Sequence, residues 1–301
     1  MRFHSLLLGI AALGSMASGA AIVAREEKKP AAPEPPSTKY FHEPGRNDLT
    51  GHYDARFFKE VVDYDERRDT LTHLAKAWLQ TTAKEGIETW IAHGTLLGWW
   101  WSGNILPWDW DLDVQMSANT LTMIGEKYNM TRHHYTSEDG TIQREYLLDV
   151  NPWIWQRVRG DGNNIIDARW VDVRNGLYID ITGIAETNPD TPGILNCKNY
   201  HRYKPEDIWP LRDTMFEGVP AKIPYNFDEI LMKEYKAKAL VVTEYEGHRW
   251  NTHTKTWDRA PEVPAGRQAE NLMKTVREPE KYSTVESGGF FYNAFRLLHW
   301  W

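Results

Sequence analysis

The chain has 301 residues, 41% hydrophobic and 26% charged, which is enough for one sizeable core or one catalytic domain with extensions. A net charge of −7 with no long basic stripe excludes nucleic acid as a partner, so an anionic nucleotide would have to be held through a metal.

Residues 1–20 carry Arg2 and His4, an apolar run from Leu6 to Met16, and small residues at Ser18 and Ala20. That pattern predicts a secretory signal peptide or an uncleaved signal anchor, and with it the lumen of the ER or Golgi, or secretion. Residues 21–39 form a charged, Pro-rich linker. The folded domain is expected over residues 40–245, with residues 246–301 as an extension packing on it. Within the domain, Asn129-Met130-Thr131 is a glycosylation sequon. Cys197 stands alone, which excludes intrachain disulfides, and the scattered histidines lack the spacing of a Cys/His zinc centre. The 15 tryptophans suit sugar stacking, although core packing is their commoner role.

Leu71, Leu74, Ala75, Trp78 and Leu79 recur at helical spacing and predict an amphipathic helix over 65–84. Glu88 to His93 reads as a strand, and Gly94-Thr95 then opens a helical run from Leu96 to Trp101. A strand that ends in small residues at a helix N-terminus leaves backbone N–H groups free for a phosphate. The next stretch, Trp108 to Val114, is read as a strand. Its period of two puts Asp109, Asp111 and Asp113 on one face and Trp108, Trp110, Leu112 and Val114 on the other. A row of like charges needs compensation, and a hard divalent cation shared with phosphate oxygens is the simplest. A calcium loop is excluded, because Val114 stands where its glycine belongs and Thr120 where its glutamate belongs. Ala118 to Tyr128 is again helical, which gives a βαβ-like start and an α/β class.

His93-Gly94-Thr95-Leu96-Leu97-Gly98, Leu106-Pro107-Trp108-Asp109 and Asp111-Leu112-Asp113-Val114 together resemble the LicD/fukutin family of the nucleotidyltransferase-fold superfamily. Trp110 departs from it, standing where many members carry a further aspartate. The resemblance implies an α/β (α+β) fold, a nucleotidyltransferase-like mixed sheet flanked by helices in a single catalytic domain. It also implies Mg²⁺ or Mn²⁺ as cofactor.

In Asn163 to Thr182, the Asn175-Gly176 turn signal precedes an apolar strand, Leu177 to Ile181, in which Asp180 is a lone carboxylate. A place beside Asp111 and Asp113 would complete a three-carboxylate site. The resemblance gives this third acid the role of metal ligand or base. Asp167 is a candidate substrate contact, while Arg169 either holds a phosphate or pairs with a neighbouring acid. The segment also resembles the fungal LicD-type branch associated with mannosylphosphate addition to cell-wall glycans.

Cys197 to Pro224 supplies cations and rings in a turn-rich setting, with His201 and Tyr203 as substrate contacts and Arg212 as a phosphate contact. Pro210-Leu211-Arg212, Phe216-Glu217-Gly218 and Ile223-Pro224 stand where family members have similar residues. Asn226 to Lys236 reads as a short helix and Phe290 to Trp301 as another.

These readings converge on a luminal transferase in which Asp111, Asp113 and Asp180 carry metal and chemistry, with Asp109 as a further ligand and His93, Gly94 and Thr95 as the phosphate cradle. The expected partners are a nucleotide-linked donor, GDP-mannose first and a CDP-alcohol such as CDP-choline or CDP-ribitol otherwise, and a glycan acceptor. The alternatives are an accessory protein acting on a partner glycosyltransferase, and a Trp-rich carbohydrate-binding protein.

Overall fold

The computed structural model describes residues 39–260 apart from Arg46 and Asp48. The leader, most of the linker and the helix expected at 290–301 lie outside the described residues.

The first long element, α1 (Tyr64–Glu85), follows directly from its sequence. Asp63 caps it by accepting from the Glu66 N–H at 2.8 Å, and Gly86 ends it in the left-handed region at φ 66°. Its apolar stripe is buried, with Leu71, Leu74 and Trp78 at 1% exposure or less. Each such leucine contributes about 1.5–3 kcal/mol of burial. After α1 come β1 (Trp90–Ile91), α2 (His93–Ser102), β2 (Leu112–Ser117), α3 (Ala118–Tyr128), β3 (Thr131–Thr136), β4 (Gln143–Val150), β5 (Ala168–Asp172) and β6 (Tyr178–Glu186). The helices predicted at 65–84 and 118–128 therefore form within a residue or so of their expected limits.

The main sheet has eight strands: six follow the order β1-β2-β6-β5-β4-β3, and two short strands further along the chain, Leu195–Asn196 and Arg202–Tyr203, extend it from the end of β6. Only β2 and β6 run parallel among these neighbours, so the sheet is mixed, as expected, with helices packed on it. The hairpin joining β5 to β6 turns at Asn175-Gly176. There Gly176 has φ 90°, and a Cβ would come within 2.8 Å of the Asp54 carbonyl oxygen, so only glycine fits. All of β5 and the first seven residues of β6 are buried, which identifies the centre of the sheet. Trp78 of α1 meets Trp170 of β5 edge-on at 5.6 Å.

Beyond β6 the chain makes β7 (Leu195–Asn196), β8 (Arg202–Tyr203), α4 (Pro205–Ile208), the β9 (Arg212–Phe216) and β10 (Val219–Ile223) hairpin, and α5 (Phe227–Ala239). A three-stranded sheet of β11 (Glu244–Tyr245), β12 (His248–Asn251) and β13 (Thr256–Arg259) follows. Its Trp257 is buried against Trp101 and Trp108, each ring 4.9 Å away. Among the described residues, no helix is long and apolar enough to cross a membrane.

Candidate active site

The site is built where α2 leaves β1 and where β2 runs beside β6. The strand expected from Trp108 begins only at Leu112, because nothing in the sheet pairs with the chain before that point. Residues 103–111 instead form a loop held from two sides. The buried Arg67 donates to the Pro107 carbonyl at 2.6 Å and stacks over Trp110 at 4.2 Å. Glu217, at the tip of the β9–β10 hairpin, accepts from the Ile105 N–H at 2.7 Å and donates its own N–H to the Gly103 carbonyl. Asp109 and Asp111 are thus placed by this loop and Asp113 by the strand, so strand alternation is not what brings the three together.

Asp113 and Asp180 are register partners on the parallel strands β2 and β6. Burial first, and then repulsion from Asp111, pushes the Asp109 carboxyl up to about 8. The same two causes raise Asp113 well above the usual carboxylate range. Burial also lifts Asp180 to about 6, with Arg169 pulling the other way. His52 Nδ1 sits 3.2 Å from Asp111 Oδ2 as an ion pair. Burial opposes its cation, but the carboxylates of Asp111, Asp180 and Asp109 outweigh that and raise its pKa. Crowded, partly buried carboxylates with raised proton affinities are the setting that a divalent cation relieves, and all the donors are hard oxygens. The residues present fit Mg²⁺ or Mn²⁺.

Helix α2 forms the other wall. His93 opens it with φ 51°, a left-handed conformation costly for a side chain other than glycine. A Cβ on Gly98 would lie 2.5 Å from the Asn104 carbonyl oxygen, so this glycine lets the helix pack directly on the aspartate-bearing loop. A Cβ on Gly94 would be 3.6 Å from Asp109 Oδ2, which puts that carboxylate beside the first turn of the helix. The Thr95 hydroxyl accepts from the Asp113 N–H at 2.8 Å. Thr95 therefore ties the helix to the strand with its side chain, and only backbone N–H groups are left for an anion there.

Arg169, left between two roles by its sequence, pairs with acids, though not with its neighbours Asp167 or Asp172. Its Nε donates to Asp180 Oδ1 at 2.8 Å and its Nη2 to Glu43 Oε1 at 2.7 Å, and Tyr178 lies under the guanidinium at 3.8 Å. Asp167 is fully buried: its carboxylate pairs with Arg157 (2.7 Å) and Lys198 (2.9 Å) and accepts from the Gly183 N–H, contacts that all hold the fold together. Arg212 lies over Tyr225 at 4.3 Å and Phe227 at 5.6 Å, and no ion pair joins it to the aspartates among the described residues.

A cavity of about 640 Å³ opens beside this row, with Asp113, His93, His201, Tyr203, Lys233 and Glu234 in its wall. His201 and Tyr203 are thus brought near Asp113, while His52, Lys233 and Glu234 are contributions that carry no signal in the sequence.

Residues 86–226 match the LicD/FKTN/FKRP nucleotidyltransferase domain. Two relatives from Saccharomyces cerevisiae share the sequence. Mannosyltransferase regulator 4 is 30% identical over 257 residues, covering 83% of this chain and 21% of the relative. Mannosyltransferase regulator 14 is 35% identical over 157 residues, covering 49% of this chain and 16% of the relative. The chain thus spans about a fifth of the length of the first of these relatives. The Asp109–Asp113 row, the α2 turn and the β5–β6 hairpin all fall within the matched residues, so residues 86–226, which carry the site, form a domain of the LicD/FKTN/FKRP nucleotidyltransferase type.

Proposed function

We propose that the chain is a divalent-metal-dependent transferase that moves a phospho-sugar or phospho-alcohol group onto a glycan hydroxyl in the secretory pathway, with mannose phosphate from GDP-mannose as first choice. The observation that supports it most is the pairing of Asp113 with Asp180 beneath the loop carrying Asp109 and Asp111. Asp111, Asp113 and Asp180 would hold Mg²⁺ or Mn²⁺, with Asp109 as a further oxygen donor, and the cation would offset the charge of a diphosphate.

The chain's own residues do the rest. The first N–H groups of α2, at Gly94 and Thr95, face an anion without needing an intrahelical acceptor. The acceptor hydroxyl attacks the sugar-linked phosphorus in line, the bridging oxygen–phosphorus bond of the diphosphate breaks, and GMP leaves with that oxygen. Asp180 either completes the metal site or takes the hydroxyl proton as base. Arg169 and Glu43 position Asp180 rather than touch substrate. Transfer of phosphocholine from CDP-choline follows the same steps, with CMP leaving.

The names of the two yeast relatives favour a second reading, a non-catalytic regulator of mannosylphosphorylation that acts on a partner glycosyltransferase. Incubating the purified chain with Mn²⁺, a mannan acceptor and GDP-mannose, CDP-choline or CDP-ribitol separates the two. Acceptor-dependent release of GMP or CMP supports the transferase and names its donor. Nucleotide binding without release from any of the three supports the regulator.

A further inference from the structure

The cavity beside the aspartate row holds a second set of metal-ligating side chains with a different chemistry. His93 Nδ1 lies 3.0 Å from Glu234 Oε2, the His93 and His201 rings are 4.3 Å apart, and one donor atom from each of the three residues falls within 4.8 Å of the others. They come from the start of α2, the turn before β8, and α5, and all three are half-buried in the cavity wall.

Each has a partner on its far side. Gln115 Nε2 stands 3.3 Å from His93 Nε2, Cys197 Sγ stands 3.2 Å from His201 Nδ1, and the Tyr203 hydroxyl donates to Glu234 Oε1 at 3.3 Å. Turning the Gln115 amide over, an exchange of nearly isosteric atoms, lets its oxygen accept from His93 Nε2–H and from the Tyr203 hydroxyl, which swings to it from Glu234, and directs Nδ1 toward a metal. With Cys197 at Nδ1, His201 keeps Nε2 for the same purpose.

We infer that His93, His201 and Glu234 bind a Zn²⁺-class ion, with its fourth position open to the cavity beside Asp113. Two imidazoles and one carboxylate suit zinc and its neighbours, whereas Mg²⁺ prefers oxygen alone. Ligands at zinc bond lengths in a tetrahedron lie about 3.3 Å apart. The His93–Glu234 pair already has nearly that spacing, and a side-chain rotation of His201 closes the rest. The ion takes the place of the proton shared between His93 and Glu234 and releases it to solvent. This site is separate from the all-oxygen aspartate site and does not depend on the transfer reaction.

The test uses the full chain, stripped by chelator and titrated with Zn²⁺ and with Co²⁺. Wild type should take up one tight equivalent of Zn²⁺ and, with Co²⁺, show the intense visible band of a four-coordinate site, whereas an all-oxygen six-coordinate site stays pale. His201→Ala and Glu234→Gln should each abolish that band and weaken Zn²⁺ binding by at least roughly 100-fold. His201→Gln, which keeps side-chain volume, guards against a folding effect and should behave as His201→Ala does. No tight Zn²⁺ equivalent in wild type, or a Co²⁺ band unchanged in folded His201→Gln and Glu234→Gln, would overturn the assignment and leave the three residues as a plain ion pair.

Discussion

Asp109→Asn is expected to stabilise the metal-free protein, and the size of the effect follows from the site. In the fold the Asp109 carboxyl is pushed up to about 8 by burial and by Asp111, against an ordinary value of about 3.9. For an acid with a raised value, the folded state holds more protons than the unfolded one in that window, so stability falls as pH rises from about 4 to about 8. At ~1.4 kcal/mol per pH unit the gap gives a ceiling of about 5–6 kcal/mol at pH 8. Asp109 keeps some contact with solvent, which screens its charge, so about 2 kcal/mol is the expected gain. Urea unfolding in EDTA at several pH values from 4.5 to 8 measures it. The variant should be more stable than wild type at pH 8, and the difference should shrink steadily toward pH 4. Equal stability at pH 8, or a variant that is less stable there, would refute the reasoning that these carboxylates are held together against their own repulsion.

Other consequences are checked as simply. Asp180 titrates near 6 and Asp109 near 8, and a metal takes only their ionised forms; Mn²⁺ affinity by calorimetry should therefore weaken as pH falls from 8 to 5. Asp167→Asn should cost about 3–5 kcal/mol in urea unfolding, because it removes the countercharge of the buried Lys198 and the half-buried Arg157. Gly98→Ala should cost about 1–3 kcal/mol by thermal unfolding and reduce transfer as well, since its Cβ would meet the backbone of the aspartate loop at 2.5 Å. Leu74→Ala, in the buried stripe of α1, should cost about 2–5 kcal/mol while leaving metal affinity unchanged.

What the sequence shows of this fold is whatever local pattern controls. The helical spacing of Leu71, Leu74 and Trp78 is enough for α1, and the Asn175-Gly176 turn is enough for the hairpin that carries Asp180. Asp180 stands out because a single carboxylate in an apolar strand demands a partner, which Arg169 supplies from β5, while the register of β2 sets Asp113 beside it. The alternation of Asp109, Asp111 and Asp113 suggests a strand for another reason than the one that operates. Arg67 and Glu217, distant in sequence, hold that stretch as a loop, and no periodicity records a tertiary clamp. Asp167 and Arg169 sit two apart, which invites a shared role. Yet Asp167 turns to Lys198 and Arg157 while Arg169 turns to Asp180 and Glu43: Asp167 lies just before β5, which begins at Ala168, so the two-residue period that would set both on one face does not govern it. His52, Glu234 and the β11–β13 sheet are brought in by long-range packing and leave no local trace.

Transfer of a phosphorus-linked group at the carboxylate row is the step on which the proposed function rests. The most direct measurement supplies GDP-mannose labelled at the sugar-linked phosphorus, with Mn²⁺ and a mannan acceptor, and follows where the label goes. The label is expected to enter the mannan as a phosphodiester as GMP appears, and Asp113→Asn, though folded, to transfer none. Label retained in GDP while unlabelled mannose enters the acceptor, or full transfer by folded Asp113→Asn, would contradict it.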